Sequence, residues 1–333
     1  MPSLLPYNTF GIAAQARAIE HYTTADDLAR LLRQYRGERL LPVGSGSNLL
    51  FISDFDGVVL VSDDTTITAE EYGNEVLVRC GAGVVWDEFV DYSVNHGWYG
   101  VENLSLIPGT CGASAVQNIG AYGTEAKDVI TSVEAVNRDT LQREIIPVQT
   151  IRYGYRTSRF KTEWADKYII TVVNYRLLLN GTLNLEYRGL KEAYESVRTE
   201  QPSMPELLAA RHAVMRVRRQ KLPEVGVIGS AGSFFMNPAV SRQTAIRLVA
   251  QYPDIQHFAN NDGTVKIPAA WLIEQTGWKG YREGDAGVYD KQPLVLVNYG
   301  HATGKEIAAL AEKIQNSVMR KFGIALKTEV IYV

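Results

Sequence analysis

Residues Ile107 to Gly123, IPGTCGASAVQNIGAYG, set Gly109, Gly112, Gly120 and Gly123 among Ser114, Gln117, Asn118 and small side chains. Glycine permits positive φ and close approach of the main chain, so successive N–H groups can converge on an anion with no side chain in the way. Ser114 and Asn118 are expected to add side-chain hydrogen bonds to such a phosphate cradle. Glycine content alone favours a plainer reading, two tight turns on a β-rich domain. Three other stretches tip the balance toward phosphate: VGSGSNLL from Val43, GSAGSFFMNP from Gly229, and an acidic C-terminal strand.

A chain of 333 residues can hold two or three domains with a sizeable core. Its net charge of -3, with signs interspersed, argues against a nucleic-acid binder, and five His leave little scope for a histidine metal site. Cys80 and Cys111 are far apart in sequence and form no CxxC or Cys/His cluster, so neither a disulfide framework nor a zinc site is expected. MPSLLPYNTFG lacks the basic and apolar regions of a signal peptide, and no window approaches the roughly 18 apolar residues of a membrane span. The expected setting is the cytoplasm, without membrane insertion. No repeat or low-complexity tract is present.

Along the chain, Thr24 caps an expected helix with Asp26 and Asp27 in its first turn and Leu28, Leu31, Leu32 and Tyr35 on its apolar face, closed by Gly37. Arg39 to Val43 reads as a strand entering the turn Gly44-Ser45-Gly46-Ser47-Asn48. That turn superficially matches GxGxxG, but Leu49 occupies the third glycine position and no helix follows. A dinucleotide-binding Rossmann unit is therefore excluded. A further turn is expected at Asp54-Phe55-Asp56-Gly57. Strands are expected at 57–61, 75–80, 129–137, 141–146, 168–179 and 294–298, and helices at 86–97, 188–197, 205–221, 241–251, 268–275 and 304–322. YGYRTSRFK, residues 153 to 161, gathers Tyr153, Tyr155, Arg156, Arg159 and Lys161 on a loop. It suits a carboxylate or phosphate as well as it suits plain solvation. The basic run Arg211, Arg216, Arg218, Arg219 and Lys221 reads chiefly as a solvated helix face. Glu329, in a KTEVIYV strand, is either on an exposed edge, the commoner case, or buried with a partner.

These segments, in order, resemble one family: NTFG at Asn8, VGSGSNLL, ENLSLIPGTCGASAVQNIGAYG, YGYRTSRFK, RQKLP, GSAGSFFMNP and the terminal TEV. The chain is similar over nearly its whole length to the UDP-N-acetylenolpyruvoylglucosamine reductases. The resemblance implies an α+β chain with an FAD-binding domain of the vanillyl-alcohol-oxidase (PCMH) type in two subdomains, 1–65 and 66–205. An α+β substrate-binding domain, 206–333, would follow. Gly44, Ser45, Gly46, Ser47 and Asn48 would hold one side of FAD, and Ile107, Pro108, Gly109, Gly112, Ser114, Asn118, Gly120, Gly123 and Tyr155 the other. With no His and only Cys111 in these loops, the flavin is expected to be non-covalent.

The same resemblance gives catalytic roles to Arg156, Ser233 and Glu329, and substrate contacts to Tyr187, Lys221, Asn237 and Gln292. The implied reaction is NADPH-dependent reduction of UDP-N-acetylglucosamine enolpyruvate to UDP-N-acetylmuramate in peptidoglycan precursor synthesis. Hydride from flavin N5 would reach the outer alkene carbon and push charge onto the conjugated carboxylate. Arg156, a permanent cation, and Glu329, an acid, would stabilise that enolate, and Ser233 would protonate the remaining carbon. Taken alone, Ser233 reads as a turn residue satisfying its own loop. The Tyr187 segment places the chain with members carrying an extra tyrosine-bearing loop, and Phe258 stands where a tyrosine hydroxyl is expected near the nucleotide. A monomer is expected. An FAD-dependent oxidase of a small alcohol or sugar on the same fold is the alternative, but it leaves GSAGSFF and Glu329 without a task. A catalytically silent nucleotide-sugar binding protein leaves Arg156, Ser233 and Glu329 unexplained as a set.

Overall fold

The computed structural model describes residues 1–333, which divide into two compact units. The first comprises residues 1–2, 16–45 and 56–220; the second comprises 3–15, 46–55 and 221–333. Both are discontinuous in sequence, unlike the three contiguous segments 1–65, 66–205 and 206–333 expected above. Helix Glu206–Lys221 lies in the first unit up to residue 220.

Two sheets form the first unit. In the smaller, strands run in the order Ala16–Tyr22, Phe55–Ser62, Leu40–Val43, with Leu40–Val43 parallel to its neighbour. Helix Ala25–Gln34 covers it with Leu28, Leu31 and Leu32. Its Thr24 side chain accepts from the Asp27 N–H, as the sequence led one to expect, and Asp27 in turn accepts from the Thr24 N–H, making the cap reciprocal. The turn expected at Asp54-Phe55-Asp56-Gly57 needs correction, because the strand already begins at Phe55, where buried Phe55 anchors it.

The larger sheet is antiparallel, in the order Arg143–Pro147, Ile130–Asn137, Tyr168–Leu178, Glu75–Gly81, Ile67–Tyr72. Along Glu75–Gly81 the period of two sends Val76, Val78 and Cys80 inward and leaves Leu77 exposed. Helix Trp86–Asn95 packs Trp86 and Phe89 against Tyr175 of the central strand, with the Phe89 and Tyr175 rings stacked at 4.6 Å. Strand Ile67–Tyr72 was not foreseen; it is an edge strand of mostly exposed residues and so lacks apolar alternation.

The second unit holds an antiparallel sheet in the order Gly229–Ser233, Val295–Asn298, Ala286–Val288, Arg282–Glu283. Helix Gly304–Phe322, capped by Thr303 with Glu306, buries Ile307, Leu310, Ile314 and Val318. The N-terminal NTFG segment belongs here structurally. Asn8 is buried and donates to the carbonyls of Leu4 and Ile12 while accepting from the Ile12 N–H, and Thr9 exchanges main-chain and side-chain bonds with Ser230. The expected C-terminal strand shrinks to Ile331–Tyr332, parallel to Leu49–Leu50.

Candidate active site

In the first unit, the long glycine stretch is a loop only in part. Residues Cys111–Gln117 form a helix capped by the Thr110 hydroxyl, because ASAVQ offers small helix-compatible side chains once Thr110 supplies the cap. This corrects the picture of N–H groups converging on an anion through the whole stretch. The N–H groups of Cys111 and Gly112 donate to the carbonyls of Val84 and Ala82, and those of Ala113 and Ser114 to Thr110. Two side chains expected to face a phosphate are likewise committed within the protein. Ser114 is 1% exposed, donates to the Cys111 carbonyl and shares a 3.0 Å bond with the Tyr175 hydroxyl. Asn118 adopts φ 53°, donates to Glu125 and to the Gly154 carbonyl, and accepts from the Lys127 N–H. Its role is to tie the end of this helix to the YGYR loop.

Ile107–Thr110, with Gly109 at φ 139°, and Gly44 remain as main chain built for close approach. A Cβ on Gly44 would stand 2.6 Å from the Thr110 hydroxyl, so the two glycine segments meet with no space for a side chain. Glycine at 44 is thus required by packing against Thr110, and the Ile107–Thr110 main chain, free of bulky side chains at Gly109, fits close approach by a large anionic group such as FAD. Cys111 faces Cys80 and Tyr175 in the core, and burial pushes its thiol pKa well up. It is therefore unsuited to tether a flavin covalently.

Arg156 follows Tyr155 with its backbone at φ 55°, a left-handed conformation unusual for arginine. Its guanidinium donates to the carbonyls of Asn118 and Gly120 and lies 5.3 Å from the Tyr155 ring centroid. A Cβ on Gly120 would stand 2.9 Å from its Nη1 and 3.0 Å from the Thr124 carbonyl oxygen, so the main chain leaves little room for a side chain there. The ring of Tyr187 meets Tyr122 edge-on at 4.9 Å, and Tyr187 itself is exposed. Arg218 is held near Tyr122: burial lowers its pKa, the Tyr122 and Asp87 groups oppose that, and Arg156 adds to the lowering.

The helix carrying Arg218 corrects the expectation of a solvated basic face. Arg211 is 5% exposed and pairs through both terminal nitrogens with Asp87, at 2.7 and 3.0 Å, and through Nε with Asp91. Arg216 is bidentate to Glu200 at 2.7 Å. Asp87 also accepts from the N–H of Leu106, which has φ 57° and immediately precedes Ile107. Sequence reading passed over Asp87; its only signal was an acid in the first turn of a helix, a common position.

In the second unit, three sequence segments come together. The N–H of Glu329 donates to the carbonyl of Phe234 at 2.8 Å, next to Ser233, and Phe235 bridges Thr328. The Asn48 amide donates to the Glu329 carbonyl and the Asn48 carbonyl accepts from the Ile331 N–H. Glu329 thus stands neither on an exposed edge nor deep in the core; it is half-buried at a bend before the short terminal strand. Ser233 ends a strand interrupted by a bulge against Val295, after Gly232 at φ 66°. Gly46, at φ 61°, presses so closely on Tyr7 that a Cβ would fall 1.9 Å from its carbonyl oxygen. Of the residues expected at substrate, Asn237 accepts from the Ala269 N–H at a helix start, the side-chain oxygen of Gln292 accepts from the Leu294 N–H, and Lys221 is exposed. Arg156 and Tyr187 belong to the first unit, and Ser233, Glu329, Lys221, Asn237 and Gln292 to the second.

Comparison with known proteins matches both units. A family model described as FAD binding domain matches residues 16–144, and one described as UDP-N-acetylenolpyruvoylglucosamine reductase, C-terminal domain, matches residues 223–333. The UDP-N-acetylenolpyruvoylglucosamine reductase of Porphyromonas gingivalis is 46% identical over 98% of this chain and 96% of its own. Those of Bacteroides fragilis and Chromobacterium violaceum are 44% identical, covering 99% and 98% of the two chains, and 43% identical, covering 98% and 96%. The crystal structure of UDP-N-acetylenolpyruvylglucosamine reductase from Thermus caldophilus superposes with a TM-score of 0.69 at 23% identity, over 99% of this chain and 96% of that one. At that identity it speaks for the shared α+β fold.

Proposed function

Because the chain belongs to the UDP-N-acetylenolpyruvoylglucosamine reductase family, we propose that it reduces UDP-N-acetylglucosamine enolpyruvate to UDP-N-acetylmuramate with NADPH, in peptidoglycan precursor synthesis. One structural observation supports the residue roles most directly: the 2.8 Å bond between the Glu329 N–H and the Phe234 carbonyl, which seats Glu329 beside Ser233. Gly44 to Asn48 and the main chain of Ile107 to Thr110, with Gly120, Gly123 and Tyr155, would hold FAD. The chemistry that bound FAD supplies is two-electron hydride transfer, from NADPH to the outer alkene carbon of the substrate.

Arg156 meets the negative charge that grows on the substrate carboxylate, a task for which a guanidinium held by two carbonyls is preorganised. Glu329, the acid of the set, would donate a hydrogen bond to the same enolate. The Ser233 hydroxyl gives its proton to the adjacent carbon, where a strongly basic enolate compensates for a weak acid, so position outweighs pKa. Tyr187, Lys221, Asn237 and Gln292 grip the nucleotide sugar; for Asn237 and Gln292 the amide nitrogen is the natural donor, because each oxygen accepts from main chain. The proposed nucleotide-sugar and NADPH substrates fit a cytoplasmic setting; no helix is long and apolar enough to cross a membrane.

An anaerobic spectrum tests the reading. One equivalent of NADPH should bleach the flavin, and UDP-N-acetylglucosamine enolpyruvate should restore it without oxygen. Recovery only on admitting air would reject the substrate and favour an oxidase. Ser233→Ala should leave bleaching intact and block recovery, whereas equal loss of both half-reactions would remove Ser233 from the proton-donor role.

A further inference from the structure

Asn103 lies in the single turn Glu102–Leu104 and is 1% exposed. Its side-chain nitrogen donates to the Tyr122 carbonyl at 2.9 Å and to the Asn184 carbonyl at 2.8 Å. The two N–H bonds of one amide therefore hold two loops that are far apart in sequence. The amide orientation follows from its partners, since two carbonyls can only be met by the NH2 end.

Each loop carries a residue to which the proposed reaction gives a task. Gly120, two residues before Tyr122, supplies a carbonyl to Arg156. Asn184 lies three residues before Tyr187, whose ring rests edge-on against Tyr122, and the Asn184 amide donates back to Gly123 at 3.3 Å. The platform under Asn103 is stiff. Glu102 accepts from the Gly100 N–H, Ser105 donates to the Glu102 carbonyl at 2.6 Å, and the Trp86 indole donates to Leu104 at 2.8 Å. The Asn103 oxygen is buried without a hydrogen-bond partner. An apolar residue would avoid that unpaired acceptor, so the two N–H bonds account for an amide at this position.

We propose that Asn103 is a positioning residue that fixes the Tyr187 loop against the Gly120–Gly123 loop and so sets the affinity for the nucleotide-sugar substrate. The inference rests on the reading of Tyr187 as a substrate contact. Asn103→Asp keeps the shape of the side chain and turns both donors into acceptors. It should raise KM for UDP-N-acetylglucosamine enolpyruvate about tenfold, the scale of one buried hydrogen bond, and leave flavin reduction by NADPH within about twofold. In a Tyr187→Ala background the same change should raise KM less than about threefold.

Amide hydrogen exchange separates the two ideas. In Asn103→Asp it should accelerate at residues 120–123 and 181–187 and stay unchanged in helix Glu206–Lys221. Unchanged exchange in either loop would overturn the inference whatever Tyr187 does. Tyr187→Ala with normal KM beside accelerated exchange would instead refute the substrate role of Tyr187 and leave the loop-fixing role standing. An equal KM increase in both backgrounds, or a parallel fall in flavin reduction, would also overturn the positioning role. Asn103→Ser, which retains one donor, serves if the aspartate variant does not fold, and should show the same pattern at smaller amplitude.

Discussion

Arg211 is the residue whose loss should be felt furthest from where it sits. Its guanidinium is buried and forks onto both oxygens of Asp87, at 2.7 and 3.0 Å, with Asp91 at 3.2 Å on Nε. Removing one partner of a buried pair costs about 3–5 kcal/mol, because the remaining charge stays desolvated. The two partners are unequal. The Asp87 side chain keeps 25% of its exposure, and it retains the Leu106 N–H, so Arg211→Met should fall near about 3 kcal/mol. Asp87→Asn leaves the more deeply buried cation with Asp91 as its one ionic partner and should cost more, about 4 kcal/mol. Urea unfolding followed by Trp86, Trp98 and Trp164 fluorescence reports the first unit; Trp271 and Trp278 report the second and should not move. In a unit of this size the midpoint of thermal unfolding should drop by about 2–4 °C per kcal/mol. The pH arm has a fixed sign. Burial pushes the Asp87 carboxyl up, but Arg211, the Leu106 N–H and Arg218 outweigh it and hold the pKa below its ordinary value. The pair's contribution is therefore complete above the unfolded carboxylate pKa of about 4 and is lost as pH falls through the lower folded value. Asp87→Asn should lack that acid-side loss. Single-variant losses under about 1 kcal/mol, or a double variant whose cost equals the sum of the two, would refute the coupling.

Gly44→Ala should weaken FAD binding, measured by flavin fluorescence, and cost about 1–3 kcal/mol through the contact with the Thr110 hydroxyl. Thr110→Ala in the same chain should relieve the clash at the expense of about 1 kcal/mol of helix cap. Phe258 is 52% exposed with the Lys266 ammonium 5.5 Å from its ring centroid. Phe258→Tyr should lower KM for the UDP-sugar without changing kcat, because the added hydroxyl would bind and take no part in the chemistry. Thr303→Ala removes the capping box of helix Gly304–Phe322 and should cost about 1 kcal/mol, read by Trp271 and Trp278 fluorescence alone.

Regular elements were legible where local chemistry and burial agree. Helix Ala25–Gln34 carried its cap and apolar stripe in one short segment, and strand Glu75–Gly81 was marked by its β-branched Val76 and Val78. Edge strand Ile67–Tyr72 was not legible, since neither face is strongly buried. The helix at Cys111–Gln117 was hidden by its glycines: Gly109 and Gly112 flank the cap, where glycine marks a boundary as readily as a loop. Ser114 and Asn118 show a related ambiguity. A polar side chain in a glycine-rich stretch can face a ligand or bond within the protein; Ser114 bonds its own helix and Asn118 bonds Glu125 and the Gly154 carbonyl.

The parts of the site that escaped sequence reading share one physical feature: their meaning lies in a partner from another segment. Arg211 reads as one more cation on a charged helix until Asp87, 124 residues earlier, is set against it. Asn103 reads as a polar residue in ENLS until the carbonyls of Tyr122 and Asn184 reach it. Both are buried polar groups, and burial makes such pairs costly to break, since the alternative is an unsatisfied group in low dielectric. Chemistry assigned from motifs alone therefore names the groups that would touch substrate and misses the groups that hold them still. If that division is right, Arg211→Met should loosen the cofactor loop through Asp87 and Leu106, and Asn103→Asp should loosen the Tyr187 loop. The first should raise the FAD dissociation constant without changing KM for the UDP-sugar in flavin-saturated enzyme, and the second should do the reverse. Equal effects of both variants on both constants would mean that the two networks stabilise the first unit generally, with no separate positioning of cofactor and substrate.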